Sequence, residues 1–198
     1  MQPLSEEQFT RTAKAAFDKV FMDPDPFGAP FRTGIEPRLL LCPFNYAAVD
    51  PWEKPFVSGL RRLNESWFFV SVMDRPPAGE QKMPYHWRVT IEQIDAYGRG
   101  LPSLENTVYS GSGTWGLIAS HEDFALIAGP EELINEFKFS IPDLDQRIHD
   151  FLDLWASYHV ENQADVKWIG TMLAHVFGRD QANGYIEGSE IRSLLGTG

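Results

Sequence analysis

The 198-residue chain predicts an α+β fold: a single domain with a central, largely antiparallel sheet of four to six strands, helices packed on one face, and a helical C-terminal extension. Three features of the chain predict it. Short apolar runs, LLLC, SWFFVSVM, HWRVTI, TVYS, TWGLIAS and FALIAG, lie between residues 39 and 129, each of strand length and too short for a helix. Segments with apolar residues at helical spacing and recognisable caps dominate both ends of the chain. The last three runs are separated only by SGSG and SHED, connections that suit hairpins.

Element by element, Ser5-Glu6-Glu7-Gln8 reads as a capping box. Phe9, Ala13, Ala16, Phe17, Val20 and Phe21 continue it as a first helix of about four turns. Four prolines in DPDPFGAPFRTGIEP forbid a regular element there. LLLC is a short buried strand that Pro43 stops. Asp50-Pro51-Trp52-Glu53 predicts an N-cap with proline at the first helical position, and Phe56, Leu60 and Leu63 extend that helix along one face. SWFFVSVM is apolar on both faces and therefore central. DRPPAGEQKMP, residues 74–84, is a turn or mobile loop, HWRVTI an alternating strand, and Ile94 and Tyr97 mark a helical turn.

After the three hairpin strands, Pro130-Glu131-Glu132 opens a helix with Leu133, Ile134 and Phe137 inward. Asp143 caps a longer one whose buried stripe is Leu144, Ile148, Leu152, Trp155 and Tyr158 or His159. A last helix runs from about Gln163 to Phe177 and ends at Gly178. The domain division that follows is a core over residues 1–159 and a helical extension over 160–198, packed on it. Trp52 and Trp115 sit on apolar faces and belong to the core.

Seventeen basic against 28 acidic side chains give a formal charge of −11. The average field repels phosphate backbones, so nucleic acid is excluded as a direct ligand, and a basic protein is attracted. No apolar run approaches membrane-spanning length, and MQPLSEEQF lacks the pattern of a secretory signal. Cys42, the single cysteine, allows no internal disulfide and fits a cytoplasmic chain.

Several motifs invite chemistry. Gly111, Gly113 and Gly116 satisfy G-x-G-x-x-G but run into a strand instead of a helix, so Gly111 and Gly113 read as turn glycines with positive φ. His121, Glu122 and Asp123 stand side by side between two apolar strands. Adjacent side chains on an extended chain point apart, so these three read as a solvated hairpin tip that contacts a partner, with no catalytic or metal role. His149 and Asp153, four apart on a helix, suggest an exposed ion pair. Cys42 before Pro43 reads as a small buried residue. RDQANGYIEGSE, residues 179–190, is similar to an EF-hand calcium loop at Gly184, Ile186 and Glu190, but Arg179 and Gln181 occupy positions that need carboxylates. An Asn-Gly turn leading into a short helix, SEIRSLL, is the expectation there, and neither metal nor cofactor is expected.

The stretch ENTVYSGSGTWGLIASHEDFALIAGPEELINEF, residues 105–137, resembles a segment of bacterial immunity-type proteins, the antitoxins of polymorphic toxin systems. Tyr109, Ser110, Trp115, Gly116, Ser120, Glu122 and Gly129 carry the resemblance. It implies a non-enzymatic cytosolic protein that binds and blocks a cognate toxin. Glu131, Glu132 and Glu136 on one predicted helix and Asp143 on the next would then join the hairpin tip as the partner-binding set, occluding a basic cleft by charge complementarity. The alternative is a small-molecule binder or hydrolase with a pocket rimmed by Tyr85, His86, Trp87 and His121.

Overall fold

The computed structural model describes residues 1–47, 50–73, 84–100 and 105–195. The loop expected at 74–84 lies outside the described residues except for Pro84. Seven strands among those residues make one sheet: β1 (Gln2–Leu4), β2 (Arg38–Leu41), β3 (Trp67–Val72), β4 (His86–Thr90), β5 (Asn106–Tyr109), β6 (Gly116–Ala119) and β7 (Ala125–Ala128). Their order is β1-β4-β3-β5-β6-β7-β2, and every neighbouring pair is antiparallel. Fold class and antiparallel sheet are as expected; the seventh strand is β1. It has three residues and contains Pro3, too short for any alternation to be read, and a proline is tolerated because the strand lies at the sheet edge.

Helices cover both faces, not one. The first layer holds α1 (Glu6–Thr12), α2 (Lys14–Val20), α6 (Leu144–Asn162), α7 (Lys167–Phe177) and α8 (Arg179–Glu187); its core includes Val20, Leu40, Phe69, Tyr109, Ile118, Leu126, Leu152, Leu173 and Tyr185. The second layer holds α3 (Glu53–Arg62), α4 (Ile94–Gly100) and α5 (Glu131–Ser140), packed on Leu39, Leu41, Phe68, Val70, Val108, Leu117 and Ile127. Alternate residues of β2, β3, β6 and β7 thus enter different cores. This explains why β6 and β7 are apolar throughout and β2 and β3 nearly so, with Arg38 and Ser71 the polar members, a pattern that demands cover on both sides. Helix α6 crosses residues 159–160, and Val166, Ile169, Met172, Leu173 and Ile191 complete the first layer. A short α9 (Arg192–Leu195) ends the described chain.

Local departures have local causes. The capping box at Ser5 is present, but the helix it starts breaks at Ala13 into α1 and α2. Thr10 and Thr12 hydroxyls donate to the carbonyls of Glu6 and Gln8, a back-bonding that bends helices. Helix α3 begins at Glu53 with Trp52 as its N-cap, so Asp50 does not cap it; the Trp52 indole instead reaches the Pro43 carbonyl at 2.8 Å. Asp143 is the N-cap of α6, yet its carboxylate takes Arg147 Nε at 3.1 Å and not a backbone amide. Gln163 closes α6 in the left-handed region, and α7 starts at Lys167.

Only one of the two turn glycines has the expected conformation. Gly113 has φ 75°, whereas Gly111 is required by contact, since a Cβ there would lie 2.2 Å from Trp67 Cη2. The EF-hand-like segment is helix α8, so neither the calcium loop nor the Asn-Gly turn forms. Burying Ala182 and Tyr185 outweighs the roughly 1 kcal/mol cost of a helical glycine at Gly184.

Candidate functional site

Strands β6 and β7 are joined by the polar residues expected to turn. Ser120 N–H donates to the Phe124 carbonyl at 2.9 Å, Glu122 N–H donates to Ser120 Oγ at 3.1 Å, and Asp123 adopts φ 56°. Asp123 serves the turn through its backbone, its carbonyl accepting from Phe44 N–H at 2.7 Å. His121 does not simply wave in water. Its Nδ1 lies 2.7 Å from Oε1 of Glu105, a largely buried carboxylate, and its Nε2 lies 3.2 Å from Glu122 Oε1. Glu105 also accepts from Ser120 Oγ at 3.3 Å, which anchors the bend.

This bend forms one wall of an open groove of about 580 Å³, whose other walls are Phe27, Trp155, Tyr158 and Trp168. Glu122, Asn162 and Asp165 stand at its polar margin. Helix α6 presents Trp155 and Tyr158 three residues apart on one face; α7 brings Trp168 on its first turn. The left-handed Gln163 and a 2.7 Å contact between His159 Nδ1 and the Ala164 carbonyl hold the corner between those helices. Phe27 comes from the proline-rich segment and is steadied by its own N–H donating to Asp25 Oδ1 at 3.0 Å. The rings meet nearly at right angles: Trp155 to Trp168 at 5.1 Å and 87°, Trp155 to Tyr158 at 5.7 Å and 84°, Phe27 to Trp168 at 5.0 Å and 79°.

The acidic residues expected to join the tip do not share its surface. Glu131 and Glu132 are exposed on the first turn of α5, beyond the opposite end of β7 and in the other layer. Glu136 pairs with Arg62, and Asp143 with Arg147, whose hydrogen bond holds the Asp143 carboxyl below its ordinary value.

The residues of the alternative pocket are also dispersed. Register runs from His86 to Ser71 on β3, Thr107 on β5 and Ile118 on β6, so His86 and His121 are separated by three strand spacings, roughly 14 Å. Trp87 faces the second core while His86 faces the first, as alternation requires. His86 belongs to a buried chain that sequence reading missed: Nδ1 lies 2.8 Å from Ser71 Oγ, which lies 3.1 Å from Tyr109 OH, while Nε2 lies 3.6 Å from Glu6. The order carboxylate, imidazole, hydroxyl is that of a nucleophilic triad. Ser71 is 1% exposed, however, and Phe9 stacks on the imidazole at 3.8 Å, so no substrate reaches the hydroxyl. The chain satisfies buried polar groups and ties α1 to the sheet.

A larger cavity, about 750 Å³, opens where β2 begins, between α5, α6, α7 and α8. Of the two cations that line it, Lys138 and Arg38, the latter is already committed, donating to the carbonyls of His175 at 2.6 Å and Ile35 at 3.2 Å and lying 3.4 Å from Glu36. His175 Nε2 accepts from Phe31 N–H at 3.2 Å, and burial, with Arg38 adding to it, pushes its pKa down to about 4. Tyr185 OH donates to Asp145 Oδ1 at 2.6 Å, and burial first, then that carboxylate, raises it to about 12. These are groups paired with each other, not aimed at a ligand.

Remaining sequence candidates resolve individually. His149 makes no ion pair with Asp153. Its Nδ1 is buried without a hydrogen-bond partner, its ring faces Tyr185 at 5.5 Å, and Asp153 accepts from Glu190 N–H at 3.0 Å. Cys42 is buried, with its thiol raised by desolvation and directed at the Arg147 carbonyl, as a small core residue would be. Among the described residues no three His, Cys, Asp or Glu side chains converge as a metal site would require. No helix among them is long and apolar enough to cross a membrane.

Comparison of the chain with family models, with curated proteins and with solved structures finds no match.

Proposed function

We propose that the chain is a non-enzymatic protein-binding module that engages a basic protein through the face around the hairpin tip, as an immunity-type protein neutralising a toxin by occlusion would. One observation carries the reading: an open groove walled by Phe27, Trp155, Tyr158 and Trp168, with Glu122 and Asp165 at its margin. Aromatic side chains in a partly exposed concavity are the usual anchors of protein interfaces, because they bury much area at little entropic cost. Leu154 and Tyr158, one turn apart on α6 and 43% and 40% exposed, extend that apolar surface along the helix. A formal charge of −11 steers a basic partner toward the molecule as a whole, with Glu131 and Glu132 contributing to the approach rather than to the contact.

The test is co-expression with the product of the neighbouring reading frame. The expected result is a product that arrests growth alone, is tolerated when this chain is present, and co-purifies with it. In surface-binding kinetics, Trp168→Ala should speed dissociation, while Glu131→Lys with Glu132→Lys should slow association. A neighbour that neither arrests growth nor binds overturns the proposal.

A further inference from the structure

We infer that the groove beside the hairpin tip is an aromatic cage for a single guanidinium group, an arginine side chain carried by the basic partner. This rests on the protein-binding reading above and specifies which chemistry that surface recognises.

The inference follows from what the groove has left to offer. Of the ring N–H groups along its wall, the Trp168 indole already donates to the Asp165 carbonyl at 2.8 Å, and both nitrogens of His121 face carboxylates, Glu105 at 2.7 Å and Glu122 at 3.2 Å. Glu122 and Asp165 line the groove, and no lysine or arginine is among the described residues that do, so its charged groups favour a cation over an anion. Trp155, Trp168, Tyr158 and Phe27 meet edge to face, with Trp155 buried and Trp168 stacked on Phe124 at 5.3 Å, so the aromatic surface offered to a ligand is the outer side of Trp168 and Tyr158. Tryptophan is the strongest cation–π partner among the aromatic residues, and Trp168 supplies one of these faces.

Guanidinium fits better than a lysine ammonium. It is planar, so it can lie against one indole while its edge meets Glu122 or Asp165, and its weaker hydration makes entry into an aromatic corner less costly. The cavity of about 580 Å³ has room for the head group and its methylene stem but is open on one side, as entry from a protein surface requires. The molecule's acidic excess complements the same sign of ligand at long range.

The experiment titrates the full chain with N-acetyl-arginine methylamide and, in parallel, with its neutral citrulline analogue, following the indole ¹H–¹⁵N resonances of Trp155 and Trp168. The expected result is saturable shifts at those indoles with the arginine compound at millimolar concentration and none with citrulline. Trp168→Phe and, separately, Glu122→Gln should each weaken the arginine compound about three- to tenfold. Glu122→Gln alters a turn margin and not the core, so it reads recognition even if Trp168→Phe perturbs packing. Equal binding of citrulline, shifts at other indoles but not these two, or no response at tens of millimolar overturns the inference. A partner that binds wild type and loses affinity with Trp168→Ala while the arginine compound gives no response would sink only this inference; a saturating arginine compound with no neighbouring partner would sink only the broader proposal.

Discussion

His175 should make the fold acid-sensitive over a defined range. In the folded chain its pKa is depressed to about 4, because burial disfavours the charged ring and Arg38 repels it, while Phe31 N–H already occupies Nε2. In the unfolded chain the ring titrates near 6.5. Between those values the unfolded state holds the proton and the folded state does not, so stability is intact above about pH 6.5 and falls as pH drops toward 4. At about 1.4 kcal/mol for each pH unit of displacement, the full linkage would reach about 3 kcal/mol. The ring is only half-buried, which reduces the expected loss to the order of 1–2 kcal/mol. The assay is urea unfolding at pH 7, 6, 5 and 4.5 for wild type and His175→Gln, whose amide oxygen can still accept from Phe31. Every other titrating group is common to both proteins, so the difference between the two curves isolates this ring. Wild type should lose stability relative to the variant as pH falls; parallel curves would refute the assignment of a neutral, desolvated His175.

Two further substitutions test the packing of the sheet. Gly111→Ala places a Cβ 2.2 Å from the Trp67 ring and should destabilise the chain by about 1–3 kcal/mol in denaturant unfolding. Ser71→Ala removes the hydroxyl between His86 and Tyr109 and should cost about 1–3 kcal/mol, with α1 amides exchanging faster than those of β5 and β6 in hydrogen exchange.

Much of the architecture was legible because it is written locally. Strands such as SWFFVSVM and FALIAG carry their length and burial in consecutive residues, and the Ser5 capping box reports its own helix start. Two-layer cover was implicit in the same runs, since Leu39–Leu41 and Leu117–Ala119 leave no polar side to face water. The site was not legible, because its parts are scattered: Phe27, His121, Trp155 and Trp168 meet only through tertiary packing. Glu105 under His121 likewise sits across a strand pair, not beside it in the chain. Local signals were overruled where burial was at stake, as when Tyr185 carries α8 through an Asn-Gly pair that would turn if free.

The double-sided burial of the sheet also bears on how the strands find their alignment. In a ribbon wetted on one side, sliding a strand by one residue is punished by exposing its apolar set. Here leucine would merely trade places with leucine, so that penalty is weak for β2, β6 and β7. The exceptions are Ser71, paired across from His86 on one side and Thr107 on the other. A slip there would turn the hydroxyl toward the second core, away from His86 and Tyr109, and strand the imidazole. The sealed polar chain therefore serves as a registration mark, trading some stability for a unique pairing among near-equivalent ones.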